Sequence, residues 1–329
     1  MNLRNKVYQM FMIAPQGAVF AEEKNLITAL ETGLGGVIFF TKNIQTAEQT
    51  KNFTHQIKEA SLISPFLGID EEGGRVERTE NIFGGKKFLS ARLQAVKGIE
   101  FVIEQTEEIS KLIKSLGFNM NFAPVFDVDT NPQNPIIAER AYGKTAQEVE
   151  KYAISAMNTY IKNGIIPVGK HFPGHGDANI DSHLALPTLD LPAETITQTH
   201  IQPFKTAIKN NIPAIMAAHL YCPCFDSELI PASLSKKVLN YLRIELGFNG
   251  IIISDDMQMG ALKSYKPQEA IIKGIQAGIN LFLYRDSSDT TLSLIESTYE
   301  TAKNDKELSK KIEESFDTIT TIKTLSGIN

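Results

Sequence analysis

The chain has 329 residues, 42% of them hydrophobic and 22% charged, a composition that excludes disordered and fibrous classes and leaves room for a large core. Its formal net charge of −5 gives no electrostatic case for nucleic acid or an anionic membrane surface. No window of about 18 or more apolar residues occurs, so no membrane span is expected.

The opening stretch, MNLRNKVYQMFMIAPQGAVF, has an apolar run broken by Pro15 and no small-residue cleavage site. It reads as a first strand over 8–14 rather than a signal peptide, which points to the cytoplasm. Further apolar runs follow in chain order: GGVIFF (35–40), PFLGID (65–70), FNMNFAPVFDV (118–128), IIPVGKHF (165–172), PAIMAAH (213–219), GIIISDD (250–256) and INLFLY (279–284). They are nearly continuous rather than alternating, as strands buried on both faces are. Helical spacing lies between them. Val102, Thr106, Ile109, Ile113 and Leu116 form one stripe, stopped by Gly117. Ser235 can cap a helix carrying Val238, Leu239, Leu242 and Leu246, stopped by Gly247, and the tail repeats the pattern at Leu308, Ile312, Phe316 and Ile319. Strand and helix alternate eight times, which predicts an α/β fold, a single-domain (β/α)8 TIM barrel, with a doubly wound open sheet as the alternative. The polar segments 71–98 and 130–145 read as elaborated loops. Cys222 and Cys224, in YCPCF, read as two reduced thiols, because no second cysteine pair exists to complete a metal site or disulfide framework.

The polar residues fall at the ends of the runs. Asp70 closes the third, Asp127 and Asp129 the fourth, Lys170 and His171 the fifth, His219 the sixth, and Asp255 and Asp256 the seventh. Strand C-termini in a barrel converge on the face that carries the active site, so these groups are expected to meet. The segment GKHFPGHGDANIDSH (169–183) adds three of the six histidines in a stretch too glycine-rich for a helix. Two chemistries fit. His171, His175, His219 and Asp255 could hold a divalent metal. Alternatively a carboxylate acts as nucleophile and an imidazole as proton donor. Composition and spacing leave both open.

Four motifs, in order, are GIDEEGGRVERT (68–79), FAPVFDVDTNP (122–132), KHFPGHGD with the following DSH (170–183), and GFNGIIISDDMQMGA (247–261). Together they resemble the glycoside hydrolase family 3 β-N-acetylglucosaminidases of the NagZ type, over about residues 10–283. The resemblance implies a retaining exo-β-N-acetylglucosaminidase that releases terminal non-reducing GlcNAc from 1,6-anhydro-MurNAc muropeptides in peptidoglycan recycling. It makes Asp255 the nucleophile and His183, assisted by Asp181, the acid/base. An imidazole suits that part because its ordinary pKa, about 6.5, lets it give and later take a proton. Asp70, Arg78, Arg140, Lys170, His171 and His219 become the sugar binders. Asp256 is expected in a structural role, His175 in a loop-structural one, and Glu71, Glu72 and Arg75 as braces of the loop after the third strand. His55 and His200 read as surface residues. Gly174 and Gly176 are expected to make the histidine segment a mobile arm over the substrate.

The family implies no metal and no organic cofactor. A small-molecule glycan is the expected partner, with no nucleic acid, no membrane and a monomeric state. The chain ends soon after its last helix, so a single barrel domain over 1–329 is expected, without the second α/β/α domain of many members. Departures are small: SDDMQM stands where SDDLSM is common, so Gln258 replaces a serine, and IDEEGG stands for IDQEGG. A β-GlcNAc phosphorylase, a metal-dependent barrel hydrolase and a non-catalytic sugar-binding protein are the alternatives that the same residues permit.

Overall fold

The computed structural model describes residues 1–178 and 186–328. Eight parallel strands close into a barrel: β1 (Phe11–Ile13), β2 (Gly36–Phe39), β3 (Phe66–Ile69), β4 (Met120–Asn121), β5 (Ile166–Phe172), β6 (Ala214–Ala217), β7 (Ile251–Asp256) and β8 (Leu281–Tyr284). Neighbours in sequence are neighbours in space, and β8 pairs back on β1 through Phe11–Phe282 and Ile13–Tyr284. The predicted barrel is therefore the observed architecture. Strands buried on both faces have no room for alternation, and all but one of their residues are buried. Gly68 in β3 shows how tightly the interior is filled, since a Cβ there would lie 2.8 Å from the Phe122 ring.

Two strand expectations contract. The run 8–14 yields only Phe11–Ile13, because the residues before it form a helix, Leu3–Gln9, whose first turn is capped by Asn2 Oδ1 accepting from the Asn5 N–H at 2.9 Å. The run 118–128 yields only Met120–Asn121. Pro124 has no N–H to give the ladder, and pairing resumes as a single bridge between Val125 and Lys170.

The helical stripes hold. Ile99–Ser115 buries Val102, Thr106, Ile109 and Ile113 and is followed by Gly117 at φ +96°, a left-handed stop. Ser235 accepts from the Val238 N–H at 3.2 Å, and Asp305 caps the last helix, Lys306–Leu325. The segment 71–98 is more ordered than a loop. Glu71–Gly73 pairs antiparallel with Val76–Glu77, and two short helices follow, Glu80–Phe83 and Ala91–Lys97. Two buried carboxylates organise it. Glu71 accepts from the N–H groups of Arg78 and Thr79, and Glu77 from those of Lys87 and Phe88.

The opposite end of the barrel holds an apolar groove of about 550 Å³ lined by Ile165, Pro167, Ile212, Phe248, Ile322 and neighbours, with no ionisable side chain. Among the described residues no helix is long and apolar enough to cross a membrane. Near the barrel floor Lys323 is buried: its Nζ donates to Gln9 Oε1 at 2.8 Å and lies 5.0 Å from the Phe66 ring centroid. Burial pushes its pKa down to about 7. Between that value and the ordinary 10.5 the unfolded chain binds the extra proton, so stability climbs with pH across this window and declines as pH falls toward 7. Replacing Lys323 by Met flattens that climb and raises the melting temperature at pH 7 by on the order of 2–4 °C. Thermal scans from pH 7 to 10 check this, and an unchanged slope contradicts it.

Candidate active site

The C-terminal ends of β3, β5, β7 and β8 and the loops above them enclose a cavity of about 360 Å³. That is the low end of the range for small-molecule sites, about 300–1,000 Å³. Its polar lining consists of Asp70, Arg78, Arg140, Lys170, His171, His175, Asp255, Asp256 and Arg285, with Phe40, Met216 and Leu283 among the apolar walls. Eight of these side chains come from strands or loops that the sequence placed at the barrel mouth. Arg285, at the exit of β8, had no such signal.

On one side a lattice of charges fixes the cations. Lys170 Nζ lies 2.6 Å from Asp70 Oδ1 and 2.6 Å from Glu72 Oε1, with its side chain 3% exposed. Arg140 forks onto the same Glu72, Nε to Oε2 at 2.9 Å and Nη2 to Oε1 at 2.8 Å. Arg78 Nη2 stands 3.5 Å from Asp70 Oδ2, and its guanidinium lies over the Phe40 ring. Burial by itself would raise both carboxyls. The Lys170 ammonium and the Arg78 guanidinium hold Asp70 below its ordinary range, and Arg140 with Lys170 holds Glu72 far below it. Burial would lower Arg140, but Glu72 raises it above its ordinary value, so the guanidinium stays charged. The fork on Glu72 fixes Arg140 in a plane against the cavity.

A second carboxylate, Asp127, has no exposure and gathers the root of the histidine segment. It accepts from the His171 N–H at 3.2 Å, from the His175 N–H at 2.6 Å and from His171 Nδ1 at 2.7 Å. Since a low-lying carboxylate only accepts, Nδ1 of His171 carries the proton. His171 Nε2 is then an acceptor, 3.4 Å from Arg140 Nη2. Asn134 closes the segment from above, donating to the carbonyls of His175 and Gly176 at 2.8 and 3.2 Å.

On the other side β7 delivers Asp255. Burial pushes its carboxyl upward. The positive charge that the His171 and His219 rings carry in acid, where a carboxyl titrates, together with the Asp256 N–H donating to Oδ1 at 2.8 Å, more than offsets that and leaves it below the ordinary range. Asp255 is therefore a carboxylate at neutral pH. Asp256 also borders the cavity. Its Oδ2 lies 2.5 Å from Arg285 Nε, and its Oδ1 accepts from the Gln258 N–H at 3.0 Å. Gln258, the departure from the common serine, bridges to β8: its Nε2 donates to Asp286 at 2.5 Å and its Oε1 accepts from the Arg285 N–H at 3.1 Å.

The sequence expected His219 in contact with substrate. It has no exposure and stands behind the cavity wall. Its Nε2 donates to the Asp256 carbonyl at 3.1 Å, and Ser233 Oγ donates to Nδ1 at 2.6 Å. A carbonyl cannot donate, so Nε2 carries a proton; burial lowers the ring's pKa below 6.5, so near pH 7 it is a neutral strut behind β7 whose Nδ1 accepts from Ser233. His200, expected at the surface, is also buried. Gly174 and Gly176 are buried too. A Cβ on Gly176 would lie 1.7 Å from the Val128 carbonyl oxygen and one on Gly174 2.6 Å from the His200 Cβ, so both glycines serve close packing at the segment's root. Asp181 and His183 lie outside the described residues. Cys222 and Cys224 are free thiols 3.7 Å apart.

As for a metal, among the described residues no three His, Cys, Asp or Glu side chains gather as a ligand set. His171 meets a guanidinium where a cation would sit, and His219 has no free nitrogen. Among the described residues the donor set does not fit a resident metal.

Comparison with known proteins bears on what this arrangement serves. The glycosyl hydrolase family 3 N-terminal domain matches residues 2–322. The chain belongs to glycosyl hydrolase family 3. Among family 3 relatives, beta-hexosaminidase A of Pseudoalteromonas piscicida is 32% identical over 272 residues, 76% of this chain and 45% of that protein. A beta-hexosaminidase of Idiomarina loihiensis is 32% identical over 269 residues, 80% of this chain and 79% of the relative. The solved family 3 beta-N-acetylglucosaminidase of Paenibacillus sp. FPU-7 superposes with a TM-score of 0.91 at 30% identity, covering all of this chain and 63% of that one. The chain thus spans less than two thirds of the Pseudoalteromonas and Paenibacillus proteins.

Glu72 was legible only as a brace, and Asp127 only as a polar strand end; they hold the cavity-lining Lys170, Arg140 and His171 in place. Replacing Glu72 by Ala strands the buried Arg140, leaves Lys170 with Asp70 alone, and costs about 3–5 kcal/mol in urea unfolding. Glu72, Asp70, Asp127 and Asp255 all sit below their ordinary values of 4.5 and 3.8. Their contribution is present above those values and is lost as pH falls through the depressed ones. Stability therefore drops steeply below about pH 4, and less steeply in Glu72→Gln. Parallel acid titrations of the two proteins check this, and equal slopes contradict this arrangement of charges.

Proposed function

We propose that the chain is a retaining exo-β-N-acetylglucosaminidase that hydrolyses terminal non-reducing GlcNAc. Asp255 carries the reading: a carboxylate kept ionised at neutral pH, at the C-terminal end of β7, on the wall of a cavity with room for a single sugar ring. An Asp255 oxygen bonds to the anomeric carbon as the bond to the leaving oxygen breaks. His183, assisted by Asp181, gives the leaving oxygen its proton, then takes one from the water that releases the sugar from Asp255 with retained configuration. The family pattern DSH supports these two roles, while both residues lie outside the described structure. Asp70, Arg78, Lys170, Arg140 and His171 surround the cavity and offer donors and acceptors to ring hydroxyls and the N-acetyl group. His219 acts from behind, holding the end of β7.

The names of the hexosaminidase relatives support a GlcNAc-type substrate. We extend this to 1,6-anhydro-MurNAc muropeptides in peptidoglycan recycling, carried out in the cytoplasm by a monomer, with all catalytic groups on the barrel. Turnover of an aryl β-GlcNAc tests the reading. Asp255→Ala lowers kcat/KM by at least about 10³-fold, roughly 4 kcal/mol of barrier. His183→Ala costs about 10²–10⁴-fold on a poor leaving group and much less on a nitrophenyl one. Equal losses on both substrates contradict the acid role. Release of GlcNAc-1-phosphate in phosphate buffer identifies a phosphorylase instead, and zinc-restored loss of activity in EDTA identifies a metal-dependent hydrolase.

A further inference from the structure

One buried group in the cavity has no use in this scheme. His175 is 2% exposed, lines the cavity, and has neither ring nitrogen bonded to anything among the described residues. Every other ionisable side chain of the lining has a protein partner among those residues. Asp70, Arg78, Arg140 and Lys170 share one lattice, His171 has Asp127, Asp255 has the Asp256 N–H, and Asp256 has Arg285. The main chain around the imidazole is fixed from two sides. Its N–H donates to Asp127 Oδ1 at 2.6 Å, and its carbonyl accepts from Asn134 Nδ2 at 2.8 Å. The ring stands edge-on to His171, centroids 6.0 Å apart at 73°. It is thus a rigidly mounted imidazole with donor and acceptor both unspent.

Burying a polar group without a partner destabilises a fold, and native proteins hold few such groups. A partner that arrives from the cavity resolves the conflict. His200 also lacks ring partners, but it faces packed protein at Gly174 and borders no cavity. Burial pushes His175 below its ordinary value, so its ring is neutral near pH 7 and can both give and take a hydrogen bond. That suits a hydroxyl, which also does both.

We propose that His175 is a substrate-contacting residue that exchanges a hydrogen bond with a hydroxyl of the sugar held against Asp255; this rests on the glycosidase reading of the cavity. It replaces the loop-structural role expected from the sequence. His175→Phe is the test, because it keeps the ring and its edge contact with His171 while removing both nitrogens. The melting temperature of the free protein stays the same or rises, since a conflict has been removed. In the same protein kcat/KM on an aryl β-GlcNAc falls about 10–100-fold, and the melting-temperature shift given by GlcNAc itself shrinks. His175→Gln, which restores a donor and an acceptor, recovers part of the loss.

A structural role gives the opposite pattern: His175→Phe melts lower or fails to fold, and either result overturns the proposal. So does a stable His175→Phe with wild-type kcat/KM and a wild-type shift. An unmodified protein that neither turns over the aryl glycoside nor responds to GlcNAc overturns the glycosidase reading, and this proposal with it. An active parent with an indifferent variant overturns this proposal alone.

Discussion

A lysine ammonium held between two carboxylates within the barrel mouth sets the geometry of the site. Lys170 projects from β5 with almost no access to solvent, and Asp70 and Glu72 each approach its Nζ to 2.6 Å, the compensation a buried ion pair needs. Glu72 in turn holds Arg140, and Asp70 faces Arg78. The chain of pairs runs from β3 across the following hairpin to β5 and on to the loop over the barrel. Each member needs its neighbour more than it would in water, because the desolvated charge has nowhere else to go. The result is a set of cations with fixed positions, surrounding a space the size of a sugar ring. Pre-set donors of this kind do not have to be ordered again when substrate enters.

The same logic, with hydrogen bonds in place of ion pairs, organises the histidines. Asp127 takes two backbone N–H groups and one ring nitrogen, so the direction of the chain after β5 and the tautomer of His171 are decided together. His219 does the equivalent behind β7, where Ser233 and the Asp256 carbonyl leave it no proton to exchange. Of the imidazoles around the site, these two have protein partners at both ring nitrogens, and among the described residues His175 has none.

The barrel was legible in the sequence because buried parallel strands and amphipathic helices have different periods, and both are strong here. Strand lengths were less so. Pro124 cuts the ladder of β4, and Asn2 turns the start of the chain into a helix; neither effect shows in hydropathy alone. Asp255, Lys170, His171 and Asp70 could be placed at the mouth from their positions at strand ends. What could not be seen was which polar groups would be spent on each other. IDEEGG shows two adjacent glutamates, but only the fold sends Glu71 into its own hairpin and Glu72 across to Lys170 and Arg140. The glycines of the histidine segment suggested freedom, whereas Gly174 and Gly176 are small because Val128 and His200 lie against them. His200 was read as exposed because its neighbours in sequence are polar, while its burial depends on packing against residues far away in the chain.

The proposed reaction turns on an Asp255 oxygen reaching the anomeric carbon of a sugar in this cavity. Quenching the enzyme during turnover of a GlcNAc substrate that carries a slow-reacting fluorinated ring, followed by peptide mapping by mass spectrometry, tests that most directly. The expected result is one glycosyl residue attached to the peptide that contains Asp255, at that side chain. An adduct on any other residue, or turnover with inverted anomeric configuration and no adduct, contradicts it.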